Sequence, residues 1–213
     1  MIEDTHKESK TMTDNFRQLK RLMDFSDEEK FYYLQILARS KDGNSKATKV
    51  IKNYYIANEE YLDEHEEQIK GLCEFFHARA YLRLNRRNYK DVAHENLKQI
   101  ANSLSYEQYE FVRKSYSKAC GRTNDEENKI WIVDIDENLP MRTETETLST
   151  VIQKIKELHT EIQKDYTVLD VLETPNGKHI LSNPFNVKKF KDHFGEHSPD
   201  IKKDNPTILY ANI

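Results

Sequence analysis

The chain has 213 residues, 33% of them charged and 10% aromatic, with a net charge of −4. That length suffices for one good core or two small lobes, and 12 Tyr and 9 Phe exceed what a disordered segment carries. No apolar run nears the roughly 18 residues that span a bilayer, and the start, MIEDTHKESKTMTDN, has no secretory apolar region. Cys73 and Cys120 form no CxxC or zinc pattern. The expectation is a cytoplasmic chain with buried thiols and no membrane partner, in which any nucleic-acid contact needs a local basic face.

Residues 1–13 read as a flexible tail, and Asp14 to Asp24 as a short helix with Phe16, Leu19, Leu22 and Met23 on one side. Ser26-Asp-Glu-Glu29 has the form of a capping box, yet FYYLQILA alternates as a strand. The turn material Lys41-Asp-Gly-Asn-Ser45 and the β-rich KVIKNYYI point to a hairpin over residues 31–56. Residues 58–76 form a helix whose acidic first half repels phosphate. In ARAYLRLN, Ala80, Leu82 and Leu84 alternate with Arg79, Tyr81, Arg83 and Asn85, which predicts a strand with an apolar back and a basic, aromatic front. That front is either a solvated edge or a surface for phosphates and bases, with Arg87 following directly.

Tyr89 to Leu104 has helical spacing. A second capping box, Ser105 to Gln108, opens a helix that stops near Gly121. The polar loop 121–129 is the expected boundary between a first αβ lobe, 14–121, and a second lobe, 128–213.

The second lobe begins with IWIVDIDEN, the strongest apolar run in the chain, ending in Asp134 and Asp136. On a strand these two project from one face, roughly 6.5 to 7 Å apart by the usual rise. Two such charges either meet a divalent cation such as Mg²⁺ or mark a strand reaching the surface. Arg142 follows in a loop, then a helix through Leu148, Val151, Ile155, Leu158 and Ile162. Val168 to Glu173 and Lys178 to Ser182 form a hairpin about the turn Thr174-Pro-Asn-Gly177, which sets His179 just past the turn. A short helix over 186–194, a loop over 195–203 and a last strand over 207–210 complete it. The expected fold is α+β and two-lobed, the second lobe a split βαβ (RRM-like) sheet with helices on one face.

An acid-x-acid strand, a helix and a hairpin bearing small-x-His resemble the archaeo-eukaryotic primase (primase–polymerase) superfamily over roughly residues 128–213. WIVDIDEN matches its first motif through Asp134 and Asp136, and Gly177-Lys178-His179 its second. The third acid is Asp200 or, second, Asp204, where Pro199 and Lys203 stand in place of the family's preceding hydrophobic residue. The resemblance implies template-dependent nucleotidyl transfer in replication. Asp134, Asp136 and Asp200 would hold Mg²⁺ or Mn²⁺, and His179 and Lys178 would meet the triphosphate. Lys188, Lys189, Lys202 and Lys203, with Arg79, Arg83 and Arg87, would face nucleotide or nucleic acid. The implied partners are nucleoside triphosphates, single-stranded or primed nucleic acid, and a replication protein such as a helicase. Two alternatives stay open: a catalytically reduced nucleic-acid- or nucleotide-binding accessory protein, and a haloacid-dehalogenase-like phosphatase, whose hhhDxD motif calls for Thr or Val where Asn138 stands.

Overall fold

The computed structural model describes residues 12–40, 47–124, 129–136, 144–160 and 168–213, with side chains given for 148–159 of the fourth segment. The fold is mixed α+β, with two antiparallel sheets and, among the described residues, six α-helices. The larger sheet runs β1 (Met12–Asp14), β10 (Thr207–Asn212), β4 (Arg79–Leu82), β2 (Lys30–Ala38), β3 (Lys49–Ile56), and β5 (Arg87–Asn88) pairs with the start of β2. The smaller sheet has the order β7 (Val168–Thr174), β8 (Gly177–Ser182), β6 (Trp131–Asp136), β9 (Asp200–Lys202).

Strand β2 sits inside its sheet and is buried on both faces, which is why its aromatic and aliphatic residues form a nearly unbroken run. Tyr32, Leu34 and Ile36 enter a core with Leu62, Ile69 and Cys73 of α2 (Glu59–Phe76). Phe31 and Tyr33 face Val92 of α3 (Tyr89–Ser105) and Ala119 and Cys120 of α4 (Ser115–Arg122). Both cysteines are buried free thiols, pushed up to about 12 by burial. Asn58 caps α2 and Asn88 caps α3, each accepting hydrogen bonds from backbone amides of the first turn.

The smaller sheet is covered on one face. Val133, Ile135 and Ile180 pack against Val151, Ile155 and Leu158 of α5 (Glu144–Thr160) and Phe190 of α6 (Val187–Phe194). Its other face sends Ile132, Leu172 and Leu181 into the core that holds Leu34 and Leu82 of the larger sheet, so the two sheets share apolar contacts. Side-chain amides reinforce the junction. Asn15 donates to the carbonyls of Glu173 and Ile208, both at 2.9 Å, and Asn85 donates to those of Ile130 and Lys203 at 3.1 and 3.3 Å.

Four expectations are corrected. The last strand does not complete the smaller sheet: β10 lies between β1 and β4, because TILYA is buried throughout and only an interior position covers both its faces. The fourth strand of the smaller sheet is β9, expected as loop. Its polar-apolar-polar sequence, Asp-Ile-Lys, suits an edge. Met12 and Thr13 belong to strand β1, not to a tail, so the larger sheet draws on both ends of the chain and a boundary at 121–128 does not separate the sheets. The second capping box does not open an α-helix directly: Ser105–Gln108 leads into a 3-10 segment, Tyr109–Lys114, before α4, whereas after Ser26–Glu29 the chain enters β2, the strand its alternation predicts, which pairs with β3. Residues 1–11, Arg142, Asn138 and Ile162 lie outside the described residues.

Candidate functional site

Along β6 the odd positions Val133 and Ile135 are committed to the helices, so Asp134 and Asp136 project from the opposite face. Antiparallel pairing then fixes their neighbours. Asp134 stands opposite His179 of β8 on one side and opposite Asp200 of β9 on the other, a row of three residues across three strands. Asp136 stands opposite Gly177. The glycine has φ +147°, and an added Cβ would lie 2.0 Å from the Ile135 carbonyl oxygen, so this position admits no side chain.

Asp134, Asp136, His179 and Asp200 line one cleft of about 530 Å³ to which both sheets contribute. The smaller sheet brings Asp134, Asp136, Thr174, His179, Asp200 and Lys202. Arg79, Tyr81, Leu37 and Ile208 come from the larger sheet, with Arg39 just past β2.

Asp134 is the most engaged of the acids. His179 Nε2 lies 3.3 Å from Oδ1, and the Lys202 ammonium donates to Oδ2. Burial pushes the Asp134 carboxyl up, but the hydrogen bonds and charges of His179 and Lys202 outweigh it and hold the group down at about 2. An ionised carboxylate accepts only, so Nε2 carries the proton facing it. On the other side of the ring, Nδ1 and the Thr207 hydroxyl share a hydrogen bond at 2.8 Å. His179 is 8% exposed and Thr207 fully buried, so the ring is held from both ends.

The basic residues divide. Arg79 and Lys202 line the cleft. Arg83 and Arg87 do not: Arg87 is fully buried, donating to the Cys120 and Asn85 carbonyls at 2.6 Å each and to Asp204 Oδ2 at 2.8 Å. Arg83 pairs with the same carboxylate at 3.3 Å. The expectation that both face nucleic acid is therefore corrected; the guanidinium fork closes a buried junction instead of meeting a ligand. The same junction takes up Asp204, which leaves Asp200 as the acid aligned with Asp134. Lys178 points away from His179 and pairs with Glu173 at 2.5 Å, and Lys203 lies over the Trp131 ring. Lys188 and Lys189 ride on α6, across the sheet from the cleft. None of these four lines the cleft.

Three carboxylates on one sheet face are hard oxygen donors, and two acids directly opposite each other repel unless a cation lies between them, so the donor set suits Mg²⁺ or Mn²⁺. In this conformation the positive charge is that of Lys202, and among the described residues no group of three or more acidic, His or Cys side chains closes into a metal cluster.

Sequence reasoning missed Arg39, Thr48, Asn176, Asn205 and Thr207. Arg39 alone had a signal, since it continues the alternation of β2 beyond Leu37; Arg39 Nη1 donates to the Tyr81 hydroxyl at 3.1 Å. No helix among the described residues is long and apolar enough to cross a membrane. No family model, curated protein or solved structure matches the chain.

Proposed function

We propose that the chain is a template-dependent nucleotidyltransferase of the primase–polymerase type, acting in the cytoplasm on single-stranded or primed nucleic acid with nucleoside triphosphates. The observation that carries this reading is the in-register row Asp200–Asp134–His179, with Asp136 on the same strand face, lining a cleft that also holds Arg79 and Lys202. The strand order β7-β8-β6-β9, with α5 and α6 on one face, supports treating residues 131–202 as the split βαβ lobe of a two-lobed protein.

In this reading Asp134, Asp136 and Asp200 hold divalent cations, which when bound stabilise the charge that develops on the transferring phosphoryl group. The protein's own groups do the positioning. His179, fixed by Thr207, presents an oriented ring beside Asp134. Arg79 and Arg39 supply positive charge for the polyphosphate from the other sheet, and Tyr81 offers a flat ring to a base or sugar. A cleft of about 530 Å³ is of the size usual for small-ligand sites.

The test is extension of primed and unprimed single-stranded templates by the purified protein with nucleotides and Mg²⁺ or Mn²⁺. Synthesis that disappears in Asp134→Ala, Asp136→Ala supports the proposal. Binding without synthesis, unaffected by that pair, would refute it and favour a catalytically reduced accessory protein. That second reading is favoured by one observation, the ion pair in which Lys202 already satisfies Asp134.

A further inference from the structure

Both oxygens of Asp134 are in use: Oδ1 faces His179 Nε2 at 3.3 Å, and Oδ2 accepts from the Lys202 ammonium. Lys202 reaches Asp134 diagonally, since its own partner across the strands is Ile132. It shares a strand face with Asp200, two residues earlier, and lines the cleft with Asp134, Asp136 and Asp200. One ammonium thus stands where three carboxylates gather. The Lys202 side chain is 29% exposed and that of Asp134 16%, so the lysine can swing on its four-carbon stem while the acid stays in the sheet. A cation approaching Oδ2 meets the lysine first, and a displaced lysine is left in a cleft whose other cations, Arg39 and Arg79, favour an anion.

We propose that Lys202 is a built-in counter-ion: it fills the cation position of Asp134 in the ligand-free protein, gives way to a divalent cation, and then binds the polyphosphate of the substrate. Cation and polyphosphate therefore bind cooperatively, because one releases the lysine that the other captures. The inference rests on the nucleotidyltransferase reading of the cleft, and it assigns Lys202 a place in the order of binding that the reading itself does not require.

The test is Mn²⁺ binding, followed by the paramagnetic resonance signal of free Mn²⁺, in the wild type, Lys202→Gln and Lys203→Gln, the last a control because Lys203 lies on Trp131. Lys202→Gln is expected to bind Mn²⁺ alone about tenfold more tightly, within the usual range of coupling between sites. Its affinity for inorganic tripolyphosphate at saturating Mn²⁺ falls by a similar factor, and Lys203→Gln changes neither. A merely structural lesion weakens both ligands together, so opposite signs are the signature. Lys202→Met, similar in length and uncharged, repeats the measurement, with circular dichroism to verify folding. If the wild type binds Mn²⁺ through Asp134 and Asp136 but the Lys202 variants bind it equally or less tightly, the counter-ion role is overturned and the metal-dependent reading stands. If none of these proteins binds Mn²⁺, both fall.

Discussion

The Thr207 hydroxyl meets His179 Nδ1 at 2.8 Å, and this bond joins the last strand of the larger sheet to the second hairpin strand of the smaller one. Thr207→Val keeps the volume and deletes the hydroxyl. It leaves a buried imidazole nitrogen without its partner, a loss of about 1–3 kcal/mol. Urea denaturation is expected to report that decrease, and Thr207→Ser to recover most of it. If the ring's orientation matters for synthesis, template extension falls further than the loss of folded protein accounts for.

Asp134 makes stability depend on acid pH in a defined direction. Its folded-state carboxyl is held at about 2 against an ordinary 3.8, so the unfolded chain takes up the proton first as pH falls. The contribution, roughly 2 kcal/mol, is fully present above about pH 4 and is lost as pH drops toward 2. Denaturation midpoints between pH 5 and pH 2 are expected to fall less steeply in Asp134→Asn than in the wild type. Parallel curves would show that Asp134 is not held down in the folded protein.

Much of this arrangement was legible from short-range pattern. The alternation in IWIVDIDEN placed the two acids on one face, and TPNG fixed the turn that sets His179 opposite Asp134. Alternation in ARAYLRLN separated Ala80 and Leu82 from Arg79 and Tyr81. What was not legible depended on partners far along the chain. Nothing local in TILYAN says that it pairs with Arg79–Leu82 and Met12–Asp14 and not with Trp131–Asp136. Three residues, Asp-Ile-Lys, are too few to announce a strand, although they carry the acid nearest to Asp134 in register. Arg83 continued the apparent basic front of β4, but the strand ends at Leu82, and beyond it Arg83 turns toward Asp204.

Gly177 is the tightest position of the hairpin. Gly177→Ala would drive a Cβ to 2.0 Å from the Ile135 carbonyl oxygen, at a φ of +147° that a side chain rarely adopts. The backbone must shift where β6 pairs with β8, beside Asp136. Positive-φ strain alone costs about 1–3 kcal/mol, and the clash adds to it. The expected outcome is a lowered thermal midpoint together with loss of synthesis, since the register of the Asp134–His179 pair depends on the same ladder. An alanine variant with unchanged melting would show that the turn has another conformation in solution.

Arg79 and Arg87, eight positions apart, are expected to fail in different ways. Arg87 is fully buried and holds the Cys120 and Asn85 carbonyls and the Asp204 carboxylate together. Arg87→Met leaves Asp204 with Arg83 alone and strips the Cys120 and Asn85 carbonyls of their donor, a loss of about 1–3 kcal/mol for each buried acceptor left unpaired. Denaturant unfolding should therefore shift strongly, while nucleotide affinity per folded molecule stays close to that of the wild type. Arg79 is also nearly buried, but it lines the cleft. Arg79→Gln keeps much of the side chain's length and removes its charge, so the expected effect is weaker nucleotide binding, measured by fluorescence anisotropy of a labelled triphosphate, with a smaller change in stability. Equal loss of nucleotide affinity in the two folded variants would contradict the division of the arginines into one that lines the cleft and one that closes the junction between the sheets.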